Sequence, residues 1–293
     1  MDTTIDKRIG MIGLGLMGTA LTERLLAHGW SMQVWNRTRD KAAPLLARGA
    51  EWSDNPLAAC DRIIISLYTG DVVEQTLSKM RDGLRAGQII IDTTTGDPAQ
   101  SAARGARLAA RGVSYLDAPI SGSSEQTRRG EATVIVGGER AAFDACNDLW
   151  PMLGQNVFHV GPCGSAAKMK LVSNLVLGLN RAALAEGLVF AEAIGVTPSA
   201  ALEVLMGSMA YSRTMDTKGR KMVDGDFAVQ ARLTQHLKDV RLILEAAAEA
   251  GQELPLSETH RQLLERAEAA GWAEMDNSAI IQAIRALQKK PES

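Results

Sequence analysis

The chain is poor in aromatic residues. Phe, Trp and Tyr make up 4% of its 293 residues, so a core must be built mainly from Ala, Leu, Ile, Val and Met. It has almost no net charge. Its 32 basic and 34 acidic residues leave −2, with no basic excess to neutralise phosphates, which argues against nucleic acid as the main partner. There are three cysteines, Cys60, Cys146 and Cys163. They are odd in number and far apart, so neither a disulfide framework nor a CxxC metal pair can be read from them. Buried thiols in a reducing compartment are expected. The histidines His28, His159, His236 and His260 show no metal-ligand spacing, and no metal is expected. No run of about 18 apolar residues lacks a charge, and the polar start from Met1 to Arg8 has no apolar stretch behind it. Neither a membrane span nor a signal peptide is expected, and the location should be cytoplasmic.

What is present is a globular balance: 46% hydrophobic and 23% charged residues, in a chain long enough for about two domains at roughly 150 residues each. The first half alternates apolar, β-rich runs at 8–14, 32–35, 62–67, 88–92, 113–117 and 132–136 with helical stretches at 17–28, 41–48, 72–81 and 98–110. Such alternation implies a doubly wound, mostly parallel sheet with helices on both faces. After Gly161 the pattern changes. Residues 164–194 hold no proline and read as one helix of about 30 residues, or about 45 Å. Helices follow at 200–206, 233–250, 258–270 and 278–287, with Pro198 and Pro255 near two starts, where a missing N–H is harmless. The expected division is 1–162 for the sheet domain and 163–293 for an all-helical substrate and oligomerisation domain, with a Gly- and Pro-rich link at 160–164.

Gly13-Leu14-Gly15-Leu16-Met17-Gly18 is a GxGxxG that follows a strand and opens a helix, which is the context a dinucleotide site requires. Gly13 permits the tight turn, Gly15 lets a pyrophosphate approach the backbone, and Gly18 lets helix pack on strand. The helix N-terminus then offers unpaired N–H groups to phosphate. At the end of the second strand an NAD enzyme places an acid on the ribose hydroxyls. Here stand Asn36, Arg37 and Thr38. A guanidinium forks onto a 2′-phosphate, so the cofactor is expected to be NADP(H). Asp40 is near enough in sequence to pair with Arg37 instead.

Two further clusters carry chemistry. The turn Ser121-Gly122-Ser123 closes a strand and presents hydroxyls and backbone N–H groups suited to a carboxylate, though an ordinary turn reads the same way. On the long helix, Lys170 and Asn174 are four residues apart on one face. An ammonium can protonate a carbonyl oxygen while hydride reaches the carbon. Lys168 lies equally near, and the spacing alone does not choose between the two lysines.

These pieces resemble the β-hydroxyacid dehydrogenases over nearly the whole chain, in order: GMIGLGLMG at 10–18, DTTTGDP at 92–98, DAPISGS at 117–123, GPCGSAAKMKLVSN at 161–174 and LKD at 237–239. The resemblance implies a Rossmann domain joined by a long helix to an all-α domain. It implies reduction of short aldehyde or keto acids with NAD(P)H, or the reverse. The family's K-x-x-x-N falls on Lys170 and Asn174, making Lys170 the general acid in reduction and base in oxidation. By the same resemblance Ser121, Gly122 and Ser123 bind the substrate's acid group and hydroxyl. Thr95 lies at the nicotinamide end and Leu67 on the adenosine side. Lys238 reaches the cofactor and Asp239 orders the cleft. A homodimer or homotetramer is implied as well.

Within the family, the helix around Lys170 and the spacing from Ser212 to Lys218-Gly219 look nearest to the NADPH-dependent glyoxylate/succinic semialdehyde reductases. The chain departs from them at Ala231, where phenylalanine is usual, at Asn180 and Arg181, and in the charged stretch 124–129. A wider or more cationic pocket, and a larger or more anionic substrate such as a sulfonated aldehyde, would follow. An imine reductase shares the plan but usually lacks the lysine. A non-catalytic NADPH-binding module of the same fold is the other alternative. Phosphogluconate dehydrogenase needs a longer helical domain.

Overall fold

The computed structural model describes residues 7–287. The chain forms two compact units, the first ending at Lys170 and the second beginning at Leu171.

The first unit opens with β1 (Arg8–Ile12), α1 (Leu16–Ala27) and β2 (Ser31–Trp35), then α2 (Ala43–Leu46), β3 (Glu51–Trp52), α3 (Pro56–Ala59) and β4 (Arg62–Ile65). It continues through α4 (Gly70–Lys79), β5 (Ile89–Asp92), α5 (Pro98–Ala109), β6 (Ser114–Asp117) and β7 (Ile120–Ser121). Then come α6 (Ser124–Arg129), β8 (Thr133–Gly137), α7 (Arg140–Asp144), α8 (Trp150–Leu153) and β9 (Asn156–Gly161). Strands β3, β2, β1, β4, β5 and β6 run parallel in that spatial order, the order of dinucleotide-binding sheets.

The central strands are apolar without interruption because helices cover both faces. Successive side chains alternate between the two layers. Met11, Ile64 and Ile91 join Leu21 and Leu25 of α1 in one core. Ile12, Ile63, Ile65 and Ile90 join Leu77 of α4 in the other.

Several details depart from the sequence expectation. The sheet ends in a mixed edge: β8 runs antiparallel to β6 and β7, and β9 parallel to β8. The short strands β3 and β7 escaped the pattern because two residues cannot show a period. The helix expected at 41–48 is broken into a 3-10 turn (Arg39–Ala42) and the single turn α2, with Pro44 at the start of α2, where it has no N–H to continue a longer helix. Residues 160 and 161 of the expected link are the end of β9.

The long helix α9 (Ser165–Ala193) begins in the first unit and continues into the second. The second unit adds α10 (Pro198–Met206), α11 (Arg220–Asp224), α12 (Leu233–Glu249), α13 (Pro255–Ala267) and α14 (Ile280–Arg285). By length and composition α9 could cross a bilayer. Here its Leu184, Ala185, Leu188 and Val189 pack into a core with Leu233, Leu237, Leu264 and Ile280. A π-helical turn, Met215–Gly219, leads into α11, and another, Glu268–Trp272, ends α13. Neither breaks the apolar period enough to be seen in sequence. Cys60 and Cys146 are buried thiols and Cys163 is half-buried; none of the three is in a disulfide.

Candidate active site

Strand register sets the site. Ile12 pairs with Ile65, Ile65 with Asp92, and Asp92 with Asp117. The carboxyl ends of β1, β4, β5 and β6 therefore lie level, and the loops that follow them emerge side by side at one sheet edge. Those loops are 13–15, 66–69, 93–97 and 118–119, the last leading into β7 and its Ser121. A ligand of an open α/β sheet binds at such an edge, where the strand order reverses between β1 and β4.

Each motif glycine has a separate geometric reason. Gly13 has φ of +103°, and a Cβ there would stand 2.2 Å from the Ser66 carbonyl oxygen. A Cβ on Gly18 would stand 1.9 Å from the Gly13 carbonyl oxygen. Gly15 has no neighbour within 4 Å on that side. The loop is thus tight below and open above, where a phosphate would approach. No side chain caps the N-terminus of α1, so its first N–H groups point into that space. Leu16 is exposed beside it. Met17 turns away, its sulfur accepting from Thr127 Oγ1 of α6.

Asn36 holds the end of β2 to the glycine loop: its Oδ1 accepts from Leu14 N at 3.0 Å and its Nδ2 donates to the Thr38 carbonyl. Arg37 and Thr38 are exposed. Among the described residues Arg37 forms no ion pair, with Asp40 or any other acid. Arg39, which the sequence reading did not single out, lies over the Trp52 ring at 4.9 Å.

The loops bearing Leu67 and Thr95 hang from a buried polar network. Leu67 N donates to Thr94 Oγ1 at 3.1 Å, and Thr94 N to Asp92 Oδ1 at 2.9 Å. Asp92 Oδ2 accepts from the Tyr115 hydroxyl at 2.6 Å. Arg104 of α5 donates to that hydroxyl at 3.0 Å and to the Gly70 carbonyl, at the head of α4, at 2.9 Å. Burial raises the Asp92 carboxyl and raises the Tyr115 phenol well above its usual value, so Tyr115 stays protonated and donates. Arg104 and Tyr115 gave no sequence signal, since neither sits in a recognised motif.

Asp117 does the same for the substrate-side turn. It is 3% exposed. Its Oδ1 accepts from Gly164 N and its Oδ2 from Ala167 N, both at 2.9 Å, at the start of α9. Burial pushes its carboxyl up, and these two N–H groups oppose that. The strand end that leads to Ser121 is thereby tied to the helix that carries Lys170. Lys170 is 6% exposed whereas Lys168 is open to solvent; burial separates the two lysines that spacing left equal.

Ser121 and Gly122 lie at the turn, Ser121 half-buried and Gly122 exposed. Ser123 is otherwise engaged. Its N–H donates to Gln126 Oε1 at 2.9 Å and its Oγ accepts from Gln126 N at 3.2 Å, a complete capping box for α6. The S-x-x-Q at 123–126 is the sequence signal for it. It removes the Ser123 N–H from the expected anion nest. The charged stretch 124–129 is this helix. Arg128 pairs with Glu23 and Glu125, and Arg129 with Glu125 and Glu131. These are solvated pairs, so they do not make a pocket cationic.

Within the second unit, Asn174 is buried and its Nδ2 donates to Asp239 Oδ2 at 2.9 Å. Lys238 Nζ is 3.2 Å from Asp239 Oδ1. Lys218 pairs with Asp276 at 2.8 Å in that unit's interior.

Residues 8–161 match the NAD-binding domain family of 6-phosphogluconate dehydrogenase, and residues 164–284 the NAD-binding family of NADP-dependent 3-hydroxyisobutyrate dehydrogenase. The chain belongs to the β-hydroxyacid dehydrogenase family. It is 32% identical to 2-(hydroxymethyl)glutarate dehydrogenase of Eubacterium barkeri, covering 94% of this chain and 93% of that one. It is 28% identical to chloroplastic glyoxylate/succinic semialdehyde reductase 2 of Arabidopsis thaliana, covering 96% and 80%. A solved 3-hydroxyisobutyrate dehydrogenase of Salmonella typhimurium superimposes with a TM-score of 0.86 at 26% identity, covering 94% and 99%. Like other NAD(P)-dependent β-hydroxyacid dehydrogenases, the protein is built to take a nicotinamide dinucleotide. The residues fit that group: a Cβ-free approach at Gly15, a helix N-terminus without a side-chain cap, and an exposed cation after β2.

Proposed function

We propose that the protein reduces a short aldehyde or keto acid with NADPH, or oxidises the matching β-hydroxy acid, with Lys170 as the acid–base group. The observation that carries this reading is the buried Lys170 on a helix whose first turn is fastened through Asp117 to the strand leading to Ser121. Lys170 gives a proton to the carbonyl oxygen in reduction and takes it back in oxidation. General acid–base help of this kind contributes roughly 10²–10⁴ in rate.

Ser121 and the Gly122 backbone hold the substrate's carboxylate, and Asn174, fixed by Asp239, orients the reacting oxygen. The bound nicotinamide supplies or accepts the hydride. Arg37 takes the 2′-phosphate, which is the basis for preferring NADPH to NADH. Gly13 to Gly18 receive the pyrophosphate, Leu67 and Thr95 border the cofactor, and Lys238 reaches it. A cytoplasmic enzyme is the natural setting for three cysteines outside any disulfide. Self-association as a homodimer or homotetramer would cover the exposed apolar stripe Val172, Val176, Phe190 and Ile194 on α9.

The test is NADPH consumption with glyoxylate, succinic semialdehyde, tartronate semialdehyde and a sulfonated aldehyde, and NADH as the cofactor control. Turnover of a carboxylate-bearing member with NADPH preferred is the expected result. NADPH binding with no turnover of any member would contradict the proposal. Turnover of the sulfonate alone would keep the reaction and move the substrate class.

A further inference from the structure

The face of α9 that carries Asn174 continues into the interior of the second unit. Gly178 lies one turn on and Arg181 nearly two, about 10 Å along the axis from Asn174. At Gly178 a side chain is excluded: its Cβ would stand 2.6 Å from His236 Nε2 and 2.7 Å from His260 Cε1. Those two imidazoles, from α12 and α13, have centroids 5.1 Å apart. Arg181, three residues beyond Gly178 on α9, is 3% exposed.

This guanidinium lacks what a buried guanidinium ordinarily has. Among the described residues, neither its Nε nor its Nη1 has an acceptor. The carboxylate whose field reaches it is Asp276, and that carboxylate is saturated. Its Oδ1 accepts from Lys218 Nζ at 2.8 Å and from the N and Oγ of Ser278 at 3.1 and 2.8 Å. Its Oδ2 accepts from Lys218 Nζ, Gln230 N and Ala231 N at 2.9, 2.9 and 3.1 Å. A carboxylate offers about four lone-pair positions, and these six contacts already occupy them.

The charges therefore do not balance. Arg181 and Lys218 bring two positive charges and Asp276 one negative. His260, 2% exposed, adds a second donor-capable atom, Nε2, that has no partner among the described residues. One uncompensated positive charge remains on a side chain that is 3% exposed, and a charge so buried is retained when something pairs with it.

We propose that the helical unit binds a small monovalent anion, of chloride size, on Arg181 with His260 Nε2–H as a second donor. One negative charge restores neutrality, and the burial of Arg181 and His260, 3% and 2% exposed, favours a small ion over a large ligand. The site is separate from the reaction proposed above and does not depend on it.

Wild-type crystals grown in bromide test this without any variant. The expected result is an anomalous bromine peak within hydrogen-bonding distance of the Arg181 guanidinium; no peak there overturns the proposal. In solution, halide-free protein is titrated with sodium bromide against sodium gluconate at constant ionic strength. A saturable rise in melting temperature in wild type, absent in Arg181→Met, is expected. The same rise in both, or none in either, would mean that water or the Asn277 amide oxygen, itself without a partner among the described residues, serves Arg181 instead. Arg181→Met leaves the Lys218–Asp276 pair intact and neutral, so it should fold, and in the absence of halide it should melt higher than wild type.

Discussion

Burial distinguishes residues that sequence spacing treats as equal. Lys168 and Lys170 lie two residues apart in the same helix turn, yet only Lys170 faces inward. Arg37 is the opposite case, a residue whose value lies in its exposure after β2. Arg37→Ala should raise the KM for NADPH about tenfold or more and leave that for NADH unchanged, since one charge-assisted hydrogen bond contributes roughly 1.5–3 kcal/mol. Equal effects on both cofactors would show that Arg37 does not meet the 2′-phosphate.

His260 offers a pH dependence. Burial first, then the Arg181 charge from α9, hold its imidazole down at about 4, from 6.5; the His236 ring of α12 also faces it. The unfolded chain takes up a proton below pH 6.5 while the folded chain resists until about 4. Stability is therefore fully present above pH 6.5 and falls through the window down to 4, by about 3 kcal/mol in total at 1.36 kcal/mol per unit. Urea unfolding in halide-free buffer at pH 7 and pH 4 should show that loss in wild type, and a loss smaller by that amount in His260→Gln.

At the scale of elements, the decisive joint is between β6 and α9. Asp117 stands at the end of one and accepts two N–H groups at the start of the other. An amide in its place keeps one acceptor and loses the other. Asp117→Asn should lower stability by about 1–3 kcal/mol and reduce kcat, while leaving the KM for NADPH near wild type. A kcat within twofold of wild type would mean that the joint does not position Lys170.

The motif DAP was legible as a motif, but its first residue's function was not. The partners lie 47 and 50 residues away, and no periodicity records a side-chain-to-backbone bond over that distance. The Asp92–Tyr115–Arg104 network escaped for the same reason. The capping box at Ser123 was a local signal that the reading of the turn as an anion nest overlooked. The long helices, with many periods each, were read to within a few residues, whereas β3, β7 and the broken helix after β2 were not.

At the scale of the whole molecule, the alternating first half and helical second half were plain in the apolar pattern, because continuous apolar strands arise when both faces of a sheet are covered. The antiparallel edge was not plain, since strand direction leaves no trace in composition. The family is established by matches that together span residues 8–284. The most direct test of the proposed chemistry is Lys170→Ala, assayed for turnover with the best aldehyde acid and for NADPH affinity by titration. Turnover reduced about 100-fold or more with NADPH affinity unchanged is the expected result. Turnover within a few-fold of wild type would contradict the assignment of Lys170 as the proton donor.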